Sequence, residues 1–294
     1  MVHRAGTAVI VGRPNVGKST LLNALVGQKV AIVTPRPQTT RTRIVGIRTL
    51  PDAQVVLVDT PGLHQARSLL NRRMVDLARS TLAEADVAVL VIDAVAGLTA
   101  ADREIAAGLA ATRAPTVVVL NKIDLIAKSK LLPTMAALAT VVANAELVPA
   151  SAKTGAELET VLDVVVSKLP QGPRLHPEAE FTTETERSLV QELVREQIFL
   201  ATRDEVPYGI AVLIDEFAEK PEKGVTVVKA TVLVERENHK PILLGTRGER
   251  IKAIGTTARR EVEALLGTKV FLELFVRVEP GWSESPRRLS ELGL

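Results

Sequence analysis

The sequence predicts two domains, a doubly wound α/β domain followed by a smaller α+β domain. Three observations predict them. Within residues 1–170, short β-branched apolar runs alternate with longer helical patterns. A segment carrying Pro170, Gly172, Pro173 and Pro177 then interrupts the alternation. Beyond it the order becomes helix, two strands, two helices and a last strand. Composition marks the same division. The single Trp, the single Tyr and all five Phe follow residue 180. Residues 1–170 carry 19 Lys/Arg against 13 Asp/Glu, and the remainder carries 18 against 21. The expected boundaries are 1–170 for the first domain, 171–181 for a linker, 182–280 for the second domain and 281–294 for a tail.

In chain order the first strands are "TAVIV" (7–11), "RIVGIRTL" (43–50) and "QVVLVD" (54–59). "VAVLVID" (87–93), "TVVVLN" (116–121) and "ELVPAS" (146–151) follow. Several are apolar on consecutive residues, as strands buried on both faces of a parallel sheet are. Helical patterns such as "LLNRRMVDLARSTLAEA" (69–85) and "LLPTMAALATVVANA" (131–145) lie between them. In the second domain "TETERSLVQELVREQIFLAT" (183–202) predicts a helix, and "YGIAVLIDEF" (208–217) and "VTVVKATVLVER" (225–236) predict strands. A short apolar piece and a glycine loop come next, then two helices from "ERIKAIG" onward and the strand "KVFLELFVRV" (269–278).

Cysteine is absent, which excludes disulfides, thiol nucleophiles and cysteine-ligated metals. The first strand begins too early for a signal segment, and no apolar run reaches the ~18 residues of a membrane span, so a soluble cytoplasmic protein is expected. A net charge of +3 is weak ground for a nucleic-acid partner; local clustering matters more.

Chemistry enters at the end of the first strand. Gly12, Arg13, Pro14, Asn15, Val16, Gly17, Lys18 and Ser19 fit G-x-x-x-x-G-K-[ST], with Thr20 next in the helix. The glycines let successive N–H groups converge on phosphate oxygens, and the helix points its positive end at them. Lys18 reaches the β- and γ-phosphates and the Ser19 hydroxyl binds Mg²⁺. Asp59, Thr60, Pro61 and Gly62 end another strand: Asp59 sits near Mg²⁺ through a water, and the Gly62 amide senses the γ-phosphate. Asn121, Lys122 and Asp124 end a third. The Asp124 carboxylate accepts from guanine N1–H and the exocyclic amine, a donor pair that adenine lacks, while Asn121 and Lys122 brace the loop. Backbone at Ser151, Ala152 and Lys153 contacts guanine O6. All four segments fall at carboxyl ends of strands, where open α/β sheets bind ligands.

In the second domain Gly245, Thr246, Arg247 and Gly248 form a G-x-x-G loop between an apolar segment and a helix, in a KH-like order. Such a loop clamps the backbone of about four nucleotides. Residues 236–260 concentrate seven Lys/Arg, among them Arg247, Arg250, Lys252 and Arg259, against two acids.

The G-loop set resembles the translation-factor class of GTPases. "GRPNVGKSTLLNAL", "PRPQTTR", "DTPGLH", "NKID", "SAK" and the ending "GWSESPRRLSELGL" resemble the Era family, so the resemblance spans essentially the whole chain. It implies an α/β P-loop GTPase domain followed by an α+β KH domain of type II. It implies that residues 34–43 form the first switch and that Thr40 completes the Mg²⁺ shell, with Thr39 as second choice. It implies hydrolysis of GTP to GDP. Many GTPases place a water-orienting Gln two residues after the DxxG glycine; here that position is His64 and Gln65 lies one place further on, so slow turnover is expected. His64 is read as a solvated loop residue. No water-activating residue is identified, and Lys18, Thr40 and Gly62 position the phosphate. Related GTPases with asparagine at the Asn15 position can use K⁺. The implied partners are the 3′ end of 16S rRNA and the small ribosomal (30S) subunit, whose assembly and rRNA maturation the protein assists. A monomer is expected, in the cytoplasm, with peripheral association with the inner face of the cell membrane as an added option. The rival readings are a constitutive RNA-binding module holding nucleotide and a P-loop phosphotransferase.

Overall fold

The structure is a computed structural model that describes residues 3–62, 68–141, 145–203 and 206–294. Two compact units divide at Thr183 and Glu184. In the first unit, six strands lie in the order β2-β3-β1-β4-β5-β6. They are β1 (Arg4–Val11), β2 (Ile44–Thr49), β3 (Ala53–Asp59), β4 (Val87–Asp93), β5 (Thr116–Asn121) and β6 (Glu146–Pro149). All but β2 run parallel. β2 pairs antiparallel with β3, Ile44 opposite Asp59. An apolar run carries no direction; here the three-residue connection through Leu50, closed by Leu50 N–H donating to Ala53 O at 2.8 Å, permits only a hairpin.

Every residue of β3 and β4 is buried, because helices cover both faces of the sheet. On one face Ile10, Leu57 and Val89 pack with Leu21 and Leu25 of α1 (Lys18–Val26) and Val161 of α5 (Leu158–Lys168). On the other, Val9, Leu90 and Leu120 pack with Leu109 of α3 (Ala100–Ala110) and Leu138 of α4 (Lys128–Ala139). The helix α2 (Leu69–Ala83) buries Met74 and Ala78.

The proline-rich segment is fastened to this unit. Gln54, wholly buried, accepts from the amides of Leu175 and His176 at 2.7 and 2.9 Å and donates to His176 O at 2.9 Å. The Ile47 amide donates to Phe181 O at 2.8 Å, and the Thr182 hydroxyl donates to Val45 O at 2.5 Å. The last two bonds are made to β2, the outermost strand on that side, and the first three to β3.

In the second unit α6 (Glu186–Ala201), capped by Thr185, is followed by β7 (Ile210–Lys220), β8 (Val225–Val234), α7 (His239–Leu244), α8 (Glu249–Leu266) and β9 (Lys269–Val278). The sheet order is β7-β8-β9, with β8 antiparallel to β7 and parallel to β9. The two helices expected after the glycine loop are one helix, α8; its partner α7 lies before the loop, on the apolar piece. Gly255 does not end α8. Ile254, Ala258 and Val262 keep one buried stripe through it, and a Cβ there would meet Leu274 only at 3.6 Å. In the tail Trp282, 1 % exposed, donates its indole N–H to Gly209 O at 3.2 Å, and α9 (Pro286–Glu291) follows.

Candidate nucleotide site and nucleic-acid interface

The loop from β1 to α1 needs three left-handed or near-left-handed residues: Gly12, Asn15 and Gly17 have φ of 151°, 64° and 98°. A Cβ on Gly12 would stand 2.6 Å from Val91 O, and one on Gly17 would stand 2.3 Å from Asn121 Nδ2. Gly12 admits no side chain without backbone movement, and Gly17 admits none unless the Asn121 side chain is displaced. The Lys18 ammonium donates to Gly12 O and Arg13 O, both at 3.1 Å, and so lies over the loop. Burial pulls its pKa down; the nearby Asp59 charge opposes this and Arg13 adds to it. Arg13 is held from outside by Asp102 Oδ2 at 3.3 Å, and Asp102 also makes the capping box of α3 with Thr99.

Ser19, Thr40 and Asp59 meet. The Ser19 hydroxyl donates to Asp59 Oδ2 at 2.5 Å, the Thr40 hydroxyl to the same oxygen at 3.1 Å, and the two hydroxyls lie 3.0 Å apart. Burial pushes the Asp59 carboxyl up, against the pull of Lys18 and of these hydrogen bonds. Asp59 Oδ1 is buried with no hydrogen-bond partner among the described residues. Two hydroxyls beside a carboxylate with an unused oxygen form a hard donor set that fits Mg²⁺ and leaves the remaining positions to phosphate oxygens and water. Thr39 takes another course: its hydroxyl donates to Arg36 O at 2.9 Å and lies 2.6 Å from the Thr34 hydroxyl, within the loop itself. Pro14, Asn15, Lys18, Thr34, Thr40 and Gly62 border the cleft between the two loops. Thr60 turns inward to Ile10 O at 2.9 Å and Pro61 is buried. Gly62 lies against Pro14, whose ring nitrogen a Cβ would approach to 3.0 Å. His64 and Gln65 lie outside the described residues.

The base-reading loop is braced from beneath. Asn121, 2 % exposed, donates from Nδ2 to Val16 O at 2.8 Å and accepts at Oδ1 from the Ala152 amide at 3.0 Å. One side chain therefore ties the phosphate loop to the loop after β6. Lys122, at φ 67°, donates to Asn15 O at 2.7 Å and to Asp93 Oδ2 at 2.6 Å. Asp124 is exposed and accepts at Oδ1 from the Ser151 hydroxyl at 2.6 Å; that hydroxyl also accepts from the Thr154 amide at 3.2 Å. Ser151 thus aims Asp124 through its side chain, a role that sequence reasoning missed. Lys153 is exposed and Thr20 partly so.

In the second unit Gly245, Arg247 and Gly248 are left-handed, with φ of 71°, 52° and 81°. Their surroundings differ. A Cβ on Gly245 would stand 2.8 Å from that of Arg250, whereas one on Gly248 would meet nothing within 4 Å. Gly245 serves the fold, and Gly248 leaves the main chain open to close approach. Helix α8 starts at once after the loop with no side-chain cap. Thr246, Arg247, Lys252 and Arg259 are exposed. Arg250 instead donates to Ile242 O and clasps the end of α7. Lys252, Thr256 and Arg259 border a groove between α8 and β9 whose apolar wall includes Ile251, Leu272 and Leu274. The apolar wall was not among the expected site residues; it reads as ordinary core pattern in the sequence.

A phosphate loop, a Mg²⁺ donor set and a guanine-type loop gathered on one sheet edge, in a chain that also carries this second fold, define a P-loop GTPase with a KH domain. Family models agree: residues 7–122 match one described as a 50S ribosome-binding GTPase, and residues 205–283 match a KH domain. The GTPase Era of Geotalea uraniireducens is 48 % identical over 290 residues, covering 99 % of this chain and 97 % of that one. The Mycobacterium avium Era is 45 % identical over 294 residues, covering 99 % and 98 %. The chain belongs to the Era family of GTPases. Among solved structures, Era in complex with MgGDPNP and nucleotides 1506–1542 of 16S ribosomal RNA matches at TM-score 0.96 and 40 % identity, over 99 % of both chains. A substituted Aquifex aeolicus Era bound to GDP and AlF4⁻ matches at 0.95 and 40 %, again over 99 % of both.

Proposed function

We propose that this chain is a GTP-hydrolysing switch that binds the 3′ region of 16S rRNA and assists assembly and rRNA maturation of the small ribosomal subunit. The observation that carries the proposal is the convergence of Ser19, Thr40 and Asp59 beside Lys18, on the same sheet edge as Asp124. Lys18 neutralises β- and γ-phosphate oxygens, and the loop amides from Gly12 to Ser19 hold the rest of the triphosphate. Ser19 and Thr40 hold Mg²⁺ directly and Asp59 through water. When bound, Mg²⁺ neutralises charge on the β- and γ-oxygens. Thr40 and the Gly62 amide register the γ-phosphate, so its loss releases both loops. Asp124, aimed by Ser151, selects guanine. Hydrolysis rests on positioning and charge neutralisation, with slow intrinsic turnover; K⁺ beside Asn15 is a testable accelerator.

The G-x-x-G loop clamps RNA phosphates at Gly248 and the exposed Arg247, while the α8–β9 groove with Lys252 and Arg259 takes the bases. The Era–16S rRNA complex supports this partner. We further propose that residues 1–170 and 182–280 are the two functional domains, that the protein acts as a monomer, and that it works in the cytoplasm where ribosomal RNA is. Peripheral membrane association is a separate expectation; among the described residues no helix is long and apolar enough to cross a membrane.

The test is titration of an oligonucleotide copied from the 16S rRNA 3′ end into protein loaded with a non-hydrolysable GTP analogue or with GDP. Tighter binding in the GTP form is expected. Equal affinity in both forms would favour a constitutive RNA-binding module, and phosphate transfer to an acceptor in place of free phosphate would favour a phosphotransferase. Calorimetry that finds equal heat with ATP would overturn the guanine assignment.

A further inference from the structure

We infer that Asp93, at the carboxyl end of β4, is a positioning residue for the guanine-reading loop and acts through Lys122. None of the nucleotide motifs includes it. Its two oxygens do different work: Oδ1 accepts from the Val95 amide at 2.9 Å, and Oδ2 accepts from the Lys122 ammonium at 2.6 Å. The same ammonium donates to Asn15 O in the phosphate loop at 2.7 Å. One cation therefore joins β4, the phosphate loop and the base loop.

The backbone explains why an anchor is needed there. Lys122 and Asn15 both hold left-handed φ, 67° and 64°, which non-glycine residues keep only when their surroundings enforce it. Lys122 immediately precedes the short turn Ile123–Leu125 that carries Asp124. Asp93 is the carboxylate that Lys122 meets among the described residues. Its side chain is 12 % exposed and that of Lys122 30 %, so the ion pair is partly shielded from water. Burial alone would raise the Asp93 carboxyl. The hydrogen bond from Lys122, the amides of Val95 and Ala96 and the Lys122 charge outweigh burial and hold it below the usual carboxylate range. Without the carboxylate, the ammonium retains only a neutral carbonyl, and the left-handed turn under Asp124 loses its tether.

The inference deepens the guanine-nucleotide reading and rests on it. The experiment is release of a fluorescent GDP analogue from the full-length protein, chased with unlabelled GDP. Asp93→Asn keeps an acceptor for the Val95 amide but places a neutral amide against Lys122; release about tenfold faster is expected, the scale of one charge-assisted bond. Lys122→Ala speeds release as well, and the double variant matches Lys122→Ala to within about twofold, because both changes remove the same contact. Release from Asp93→Asn within about twofold of the parent, or effects that multiply in the double variant, overturns the inference. If Asp93→Asn does not fold, Asp93→Glu, which keeps the charge and displaces it by one methylene, must also speed release. A parent that holds no GDP sinks the nucleotide reading and this inference with it. A parent that holds GDP while every Asp93 variant releases it at the parental rate sinks this inference alone.

Discussion

Asn121→Ala removes one side chain that joins two distant loops. The Asn121 amide group bonds Val16 O at 2.8 Å and the Ala152 N–H at 3.0 Å, and the residue is 2 % exposed. Alanine leaves a buried carbonyl and a buried N–H without their partner. Each unsatisfied group costs about 1–3 kcal/mol, and water entering from the mouth of the cleft recovers part of that. A net loss of about 2–4 kcal/mol in unfolding free energy is expected. The geometry adds a second effect. Asn121 Nδ2 fills the space over Gly17, so its removal also loosens the residue that leads into Lys18. The assay is urea unfolding of nucleotide-free protein, repeated with saturating GDP. The variant should unfold at lower urea without ligand and gain less from GDP than the parent does, since protection by ligand follows its affinity. A fall of less than about 0.5 kcal/mol, with full protection by GDP, would refute the cross-bracing role.

Other outcomes follow from the same geometry. Asp124→Asn should shift preference from guanine to xanthine nucleotides, because the amide offers a donor where the carboxylate offered an acceptor; competition of GTP against xanthosine triphosphate checks this, and undiminished GTP preference contradicts it. Gly248→Asp places a negative charge where the backbone is open. It should abolish binding of the 16S 3′-end oligonucleotide while GTP hydrolysis persists, measured by titration and phosphate release on the same sample. The Asp93 carboxyl is held below its unfolded value, so its stabilising contribution is full above that value, about 4, and is lost as pH falls through the lower folded value. Urea midpoints of the parent and Asp93→Asn should therefore separate above about pH 5, the parent higher, and converge as pH falls through the lowered folded value; a gap that does not change with pH contradicts the assignment.

Much of the nucleotide site was legible in the sequence because its chemistry is local. Gly12 to Ser19 is a contiguous loop between a strand and a helix, and Asp59 and Asn121 each close a buried apolar run. The partners that fix those residues were not legible. Asp93 ends β4 as an ordinary strand-terminal acid, and Lys122 reaches it across 29 positions. Ser151 reads as a backbone contact until its hydroxyl is seen on Asp124, 27 positions away. In the second unit the strand and helix order was readable, but the helix boundary was not. The Gly255 position resembles a break in the sequence, and only the continuous stripe of Ile254, Ala258 and Val262 against the sheet shows that the helix runs on. Strand direction was hidden for a similar reason: β2 differs from its parallel neighbours only through the brevity of its connection to β3.

The Gln54 clamp and the Ile47–Phe181 bond have a consequence for solubility. β2 is the last strand of its sheet on that side, and a bare outermost strand offers its backbone to any passing chain. Here the protein lays its own chain against that rim, Phe181 O accepting from the Ile47 N–H and the Thr182 hydroxyl donating to Val45 O, so those groups are closed to another strand. The punctuation between the two units is at once a guard rail against fibre-like growth of the first.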